Sequence, residues 1–144
     1  MLEIQPNKEP FLFVNKTIEV KYLQSASCSV FLSPDEWFFK CHWPGNPNMP
    51  AALQIETMTQ VGGMILFGSL KNKPEYLYVR KITNAVFYRK IIPNTEIIII
   101  SETKKYQKGI LLVESEIRCK NSDILFSKSQ FSLINPDDVP KVSR

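Results

Sequence analysis

The spacing of apolar residues along this 144-residue chain changes twice. Over Ile18–Leu23, Ile18, Val20 and Tyr22 alternate with Glu19 and Lys21, and Ser25–Leu32 is small and β-prone. Two neighbouring strands able to pair are predicted there. The ten residues at the start, with Pro6 and Pro10, read as an irregular arm, and Phe11–Val14 as a short turn or strand. Ser33-Pro34-Asp35-Glu36 signals a turn that leads into Trp37-Phe38-Phe39. From Ala51 to about Leu70 the alternation disappears, and apolar residues fall on nearly every face of a helix. A helix apolar all round is a central one. Pro50 fits its first turn, and Asn48 is the expected nearby cap. Gly62, Gly63 and Gly68 lower helix propensity but let other backbone come close.

Lys71-Asn72-Lys73-Pro74 ends the helix, and the β pattern returns. Strands are predicted over Tyr76–Tyr88, Glu96–Tyr106, Ile110–Lys120 and Ile124–Ile134, with turns at Pro93-Asn94, Lys108-Gly109 and Asn121-Ser122-Asp123. Asn135–Arg144 reads as a loose tail. The order is a few strands, one long buried helix, then a meander of three or four antiparallel strands. A sheet curved around a single helix satisfies it, which is an α+β layout. The sheet's outer face is then exposed, and its edge strands are open to another subunit.

Composition narrows the picture. The length suits one domain, and 44% hydrophobic residues suffice for a core. Cys28, Cys41 and Cys119 lack CxxC spacing and read as reduced cytosolic thiols. One histidine and three scattered cysteines lack the paired spacing of a zinc site. Gln54, Glu56, Thr57, Thr59 and Gln60 argue against a membrane span in the apolar segment. A net charge of +4 is too small and dispersed to point to nucleic acid, though it suits an acidic partner. Arg80-Lys81, Arg89-Lys90, Lys104-Lys105 and Lys108 are either a solvated face or a surface for such a partner.

Candidate chemistry sits where the loop meets the helix. His42 is the only histidine, and a loop stiffened by Pro44, Pro47 and Pro50 joins it to a helix carrying one carboxylate, Glu56. The start of that helix offers unpaired N–H groups and a positive dipole end, able to hold an oxygen that gains negative charge. A base, an oxyanion donor and an acid describe proton abstraction beside a carbonyl with loss of a β-hydroxyl. An acid in an apolar setting keeps its proton more readily, which suits Glu56 to the acid role. The same residues also admit a bland reading, with a structural histidine in a rigid turn and Cys41 as a packing residue.

The stretch His42-Trp43-Pro44-Gly45-Asn46-Pro47-Asn48-Met49-Pro50-Ala51-Ala52-Leu53-Gln54-Ile55-Glu56-Thr57-Met58-Thr59-Gln60 resembles the signature of β-hydroxyacyl-ACP dehydratases of the FabZ type, approximately H-F-P-G-x-P-x-x-P-G-V-L-x-x-E-A-M-A-Q. The spacing from His42 to Glu56, the three prolines, Gly45, Leu53, Met58 and Gln60 all match. The resemblance implies a hot-dog fold, in which an antiparallel sheet wraps one long helix. It also implies a dimer, often assembled into a hexamer, whose sites pair the histidine of one subunit with the glutamate of the other. The implied substrate is a 3-hydroxyacyl chain on the phosphopantetheine arm of acyl carrier protein, with no metal or redox cofactor. His42 would then be the base at C2, Glu56 the acid for the 3-hydroxyl, and the Ala51 N–H the donor to the thioester carbonyl. Gly45 and Gln60 complete the expected binding set, with Trp43, Met49, Met58 and Phe87 as candidates for the acyl pocket. The chain departs from the pattern at Ala51 and Cys41, both glycine in the family, and at Asn7-Lys8-Glu9-Pro10-Phe11, where the family has an H-R-Y-P-F-like run. A hot-dog thioesterase and a non-catalytic acyl-binding or carrier-binding module are the alternatives.

Overall fold

The computed structural model describes residues 5–69, 71 and 73–139. Its elements are β1 (Lys16–Lys21), β2 (Ser25–Leu32), α1 (Trp37–Cys41), α2 (Ala51–Phe67), β3 (Tyr78–Phe87), β4 (Thr95–Gln107), β5 (Ile110–Cys119) and β6 (Leu125–Ile134). The six strands form one sheet in the order β1-β2-β4-β5-β6-β3, and every neighbouring pair is antiparallel. The α+β expectation holds. The meander is β4-β5-β6, and β3 crosses over to pair with β6 instead of β4. Strands β1 and β3 are therefore the two edges.

Helix α2 lies against this sheet, and twelve of its residues are buried, Gln54 and Thr57 through Phe67. The expected end near Leu70 falls outside the described residues. The helix stops at Phe67, and the Gly68 N–H closes it by donating to Leu66 and Met64 carbonyls. The core joins Met58, Val61, Met64, Ile65 and Leu66 of α2 to inward residues of the strands, among them Ile97, Ile99, Val113, Ile117 and Phe131. Gly62 lies close against the sheet. A Cβ there would stand 2.9 Å from the Phe131 ring and 3.4 Å from Val113. A row of short side chains crosses the sheet in register, Ala26, Ser101, Ser115, Ser129 and Ala85. Its hydroxyls are satisfied locally, Ser101 with Ser115 at 2.7 Å and Ser129 with the Asn84 carbonyl at 2.8 Å.

Two expectations are corrected. Asn48 does not cap α2. Pro50 is the N-cap and brings no side-chain hydrogen bond, while Asn48 Nδ2 turns back to the Asn46 carbonyl at 3.0 Å. The run Trp37-Phe38-Phe39 forms the short helix α1, with Phe38 and Phe39 buried. The tail expected to be loose from Asn135 is held by hydrogen bonds at Asn135 and Asp138. Its residues 140–144 lie outside those described. Asn135 N–H donates to the Gly109 carbonyl at 2.7 Å. Asp138 Oδ2 accepts from Tyr106 at 2.5 Å and from Asn135 Nδ2 at 3.0 Å. Burial, and then the Asp138 bond, push the Tyr106 hydroxyl up to about 12.

The turn gripped by this clasp requires glycine. Gly109 has φ +78°, and an added Cβ would lie 2.8 Å from Asp138 and Val139 backbone atoms. Gly45 has a similar φ of +79° but open space around it. Gly109→Ala is therefore expected to lose about 2 kcal/mol or more of unfolding free energy, and Gly45→Ala only the left-handed backbone term of about 1–2 kcal/mol. Urea denaturation of both variants measures the ordering, and an equal or reversed loss would overturn it.

Candidate active site

Helix α1 delivers His42. The residue is its C-cap, with its N–H on the Phe38 carbonyl. Two buried neighbours, Phe38 and Phe39, anchor the helix and so fix the point from which the histidine leaves. The loop folds back at once. Trp43 and Asn46 exchange backbone hydrogen bonds of 3.2 and 3.0 Å around Gly45, and Asn48 N–H donates to the His42 carbonyl at 3.0 Å. Met49 N–H donates to the Ile91 carbonyl at 2.9 Å, tying the loop to the segment before β4. Lys90 Nζ adds a 3.1 Å bond to Asn46 Oδ1.

This geometry selects the histidine tautomer. His42 Nδ1 lies 3.1 Å from the Asn48 carbonyl oxygen. A carbonyl only accepts, so Nδ1 carries the hydrogen, and in the neutral ring Nε2 keeps its lone pair. The imidazole is half-buried.

Helix α2 delivers Glu56. Its carboxylate is half-buried and held by polar donors, with Gln60 Nε2 at 3.1 Å from Oε1 and Thr59 Oγ1 at 3.4 Å from Oε2. The shorter bond of Thr59 Oγ1 goes to the Glu56 carbonyl at 2.9 Å. Gln60 is fully engaged. Its Nε2 also reaches the Phe11 carbonyl at 2.9 Å, and its Oε1 accepts from Phe13 N–H at 3.0 Å. Its backbone carbonyl takes Gln5 Nε2 at 2.9 Å. One amide thus orients the carboxylate and pins the N-terminal arm over the helix.

Glu56 opens into a cavity of about 400 Å³ lined by Gln5, Glu56, Gln60, Gly63, Phe67, Leu77, Tyr78 and Leu133, among others. His42 is not in its lining. The chain by itself does not join the two residues in one cavity. At the start of α2, Leu53 and Gln54 N–H groups take the Pro50 carbonyl, leaving the exposed Ala51 and Ala52 N–H groups without an acceptor among the described residues. The four residues expected at an acyl pocket do not line this cavity. Met58 is 0% and Met49 2% exposed, both in the core. Trp43 and Phe87 are exposed, and none of the four lines the cavity. Thr59, Gly63 and Phe67 were missed, although they follow Glu56 at helical spacings that share one face. Among the described residues no group of three or more His, Cys, Asp or Glu could hold a metal.

The FabA-like domain family matches residues 5–125. A 3-hydroxyacyl-[acyl-carrier-protein] dehydratase FabZ of Alkaliphilus metalliredigens is 30% identical, over 94% of this chain and 95% of its own. The bifunctional enzyme LpxC/FabZ of Porphyromonas gingivalis is 34% identical over 82% of this chain, which spans 27% of that enzyme. The Xenorhabdus doucetiae dehydratase heterocomplex ApeI:P superposes with a TM-score of 0.78 at 16% identity, over 92% of this chain and 88% of that one. A zebrafish thioesterase superfamily member 2 shares the fold at TM-score 0.65 and 8% identity, over 83% of this chain and 79% of that one. The chain belongs to the FabA-like domain family, on its FabZ-type dehydratase branch, and its sheet around one helix is the hot-dog fold.

The Gln60 junction makes a direct prediction. Gln60→Leu would leave the buried Phe13 N–H unpaired, at a cost of about 1–3 kcal/mol, and would release the Phe11 carbonyl. Hydrogen exchange should show residues 5–13 losing protection while the sheet keeps its own. Unchanged protection in the arm would refute the tether.

Proposed function

We propose that this chain is a dehydratase that converts 3-hydroxyacyl thioesters, carried on acyl carrier protein, to trans-2-enoyl thioesters. The observation that carries the reading is the pair of pre-set groups, an imidazole whose Nδ1 is committed to the Asn48 carbonyl and a carboxylate oriented by Gln60. His42 Nε2 takes the proton from C2, and the C–H electrons form the C2–C3 double bond. The C3–O bond breaks, Glu56, entering the step as the carboxylic acid, gives its proton to the departing oxygen and becomes the carboxylate, and water leaves. The Ala51 N–H, free at the start of α2, holds the thioester oxygen as it gains charge. The acyl chain runs along the α2 stripe of Gly63 and Phe67, and the reaction needs no metal or redox cofactor.

The site is assembled from two copies. Supporting this, the cavity that holds Glu56 lacks His42 and reaches the edge strand β3 through Tyr78 and Val79. That strand is exposed along nearly its whole length and pairs on one side only, with β6. A second copy adding along β3 would bring a second His42 loop toward the cavity. We place the enzyme in the cytosol as a homodimer, with a trimer of dimers as the larger form. Its three thiols are free, and no helix among the described residues is long and apolar enough to cross a membrane.

One mixing experiment tests both chemistry and assembly. His42→Ala and Glu56→Gln should each lower dehydration of a 3-hydroxyacyl-ACP by about 100- to 10,000-fold. Unfolded and refolded together, the two should recover about one quarter of wild-type activity, because half the dimers are mixed and each holds one intact site. Sites within one chain would recover nothing. Mass spectrometry of the products separates loss of water from free acid, the thioesterase outcome, and from unchanged substrate, the binding-module outcome.

The carrier protein is acidic in this reading, and Arg80, Lys81 and Lys105 suit it. They line one open groove on the sheet and make no ion pair among the described residues. By contrast Lys104 and Lys128 both reach Glu114. Charge reversal at Arg80, Lys81 and Lys105 should weaken carrier-protein affinity at least tenfold and flatten its salt dependence. Unaltered affinity by calorimetry would remove this surface from the proposal.

A further inference from the structure

Trp43 has a use that packing does not explain. Its ring stands 4.4 Å from the His42 imidazole, centroid to centroid, with 37° between the planes. The side chain is 56% exposed and lies outside the core. Among the described residues its indole N–H has no hydrogen-bond partner, and its ring meets no aromatic ring other than that of His42. Trp37 is different. It stacks edge-on against buried Phe38 and donates to the Pro10 carbonyl at 3.3 Å, which are structural tasks. Whatever covers its exposed side, the one aromatic ring that Trp43 meets among the described residues is the His42 imidazole.

We infer that Trp43 is an electrostatic support for His42, its indole face stabilising the positive charge that the imidazole acquires in the reaction. The inference rests on His42 acting as the base. In the resting ring the contact is ordinary stacking between neutral groups. As Nε2 takes the C2 proton, the ring becomes a cation well within the roughly 6 Å range over which an aromatic face attracts one. Indole is the strongest of the natural aromatic partners, and the related signature carries Phe at this position. The attraction grows between ground state and transition state, so it accelerates the step and does not tighten substrate binding. The other contact to the ring, the Asn48 carbonyl on Nδ1, fixes orientation, and the Trp43 face adds to it on the charged form. Trp43 thereby acts through His42, and the acyl chain need not touch it.

Fluorinated tryptophans test this without altering the fold. Fluorine withdraws density from the indole face while nearly preserving its shape. Tryptophan and its mono-, di- and trifluoro analogues would be placed at position 43 by nonsense suppression. Single-turnover dehydration of a 3-hydroxybutyryl-ACP would then be followed by mass spectrometry. The single-turnover rate constant should fall stepwise with fluorination, by about 2- to 5-fold over the series, with half-saturation unchanged. Trp43→Phe should fall between wild type and Trp43→Leu. A flat rate across the analogues would overturn the inference, as would an effect confined to half-saturation, which would make Trp43 an acyl contact. Failure of the underlying reading is separately visible, because wild type would then not dehydrate the substrate or His42→Ala would remain active.

Discussion

Everything in this molecule depends on finding cover for α2. Buried from Thr57 to Phe67 and apolar on most faces, that helix has no stable existence in water. The curved sheet supplies most of the cover. Its inward residues pack on the helix, and Gly62 lets β6 come against the helix where a side chain would hold it away. The sheet cannot close around the whole cylinder. The remaining side is covered by the N-terminal arm, which is irregular backbone and brings polar groups with it. Burying such backbone is tolerable only when its N–H and C=O groups find partners. Gln60 provides them from the helix side, pairing with Phe11, Phe13 and Gln5.

The active site grows from the same requirement. Glu56 sits one turn before Gln60, where the helix passes from the exposed loop into the core. Gln60 therefore serves two ends, the docking of the arm and the orientation of the acid. The histidine side follows a parallel logic. Buried Phe38 and Phe39 anchor a helix of five residues, and the loop after it is closed on itself by the Trp43–Asn46 and His42–Asn48 hydrogen bonds. In both halves, a reactive group with one end free is held by backbone that the core has already ordered. Such preorganisation lowers the reorganisation needed when charge moves.

The strand order gives the halves their relation. Because β3 crosses to the far side of β6, it becomes an edge beside the cavity of Glu56, and its free side is left for a partner. Were β3 paired with β4, as a simple meander would have it, that edge would be internal and the cavity would open elsewhere. The His42–Trp43 pair stays at the surface of the chain, consistent with use by something outside it. Trp43, Tyr76 and Tyr78 are likewise exposed.

Much was legible in the residues alone. The loss of alternation at Ala51 marked the central helix, and the turn residues Asn94 and Lys108-Gly109, all with positive φ in the structure, separated the strands in sequence. The loop of three prolines from His42 to the helix of Glu56 pointed to those two residues as candidates and to the family, because chemistry at that spacing leaves a local pattern. What a local pattern cannot carry is pairing between distant segments. The placement of β3 depends on which edge of β6 is available. The burial of Met49 and Met58 depends on which helix face the sheet covers. The cavity wall of Gly63, Phe67, Leu77 and Leu133 brings together a helix, a loop and a strand. The sequence alone determined the elements and the candidate residues His42 and Glu56, since those are written in short-range spacing. Only the tertiary structure decided that His42 does not line the cavity that holds Glu56, because closing a sheet around a helix is a long-range event that no short stretch encodes.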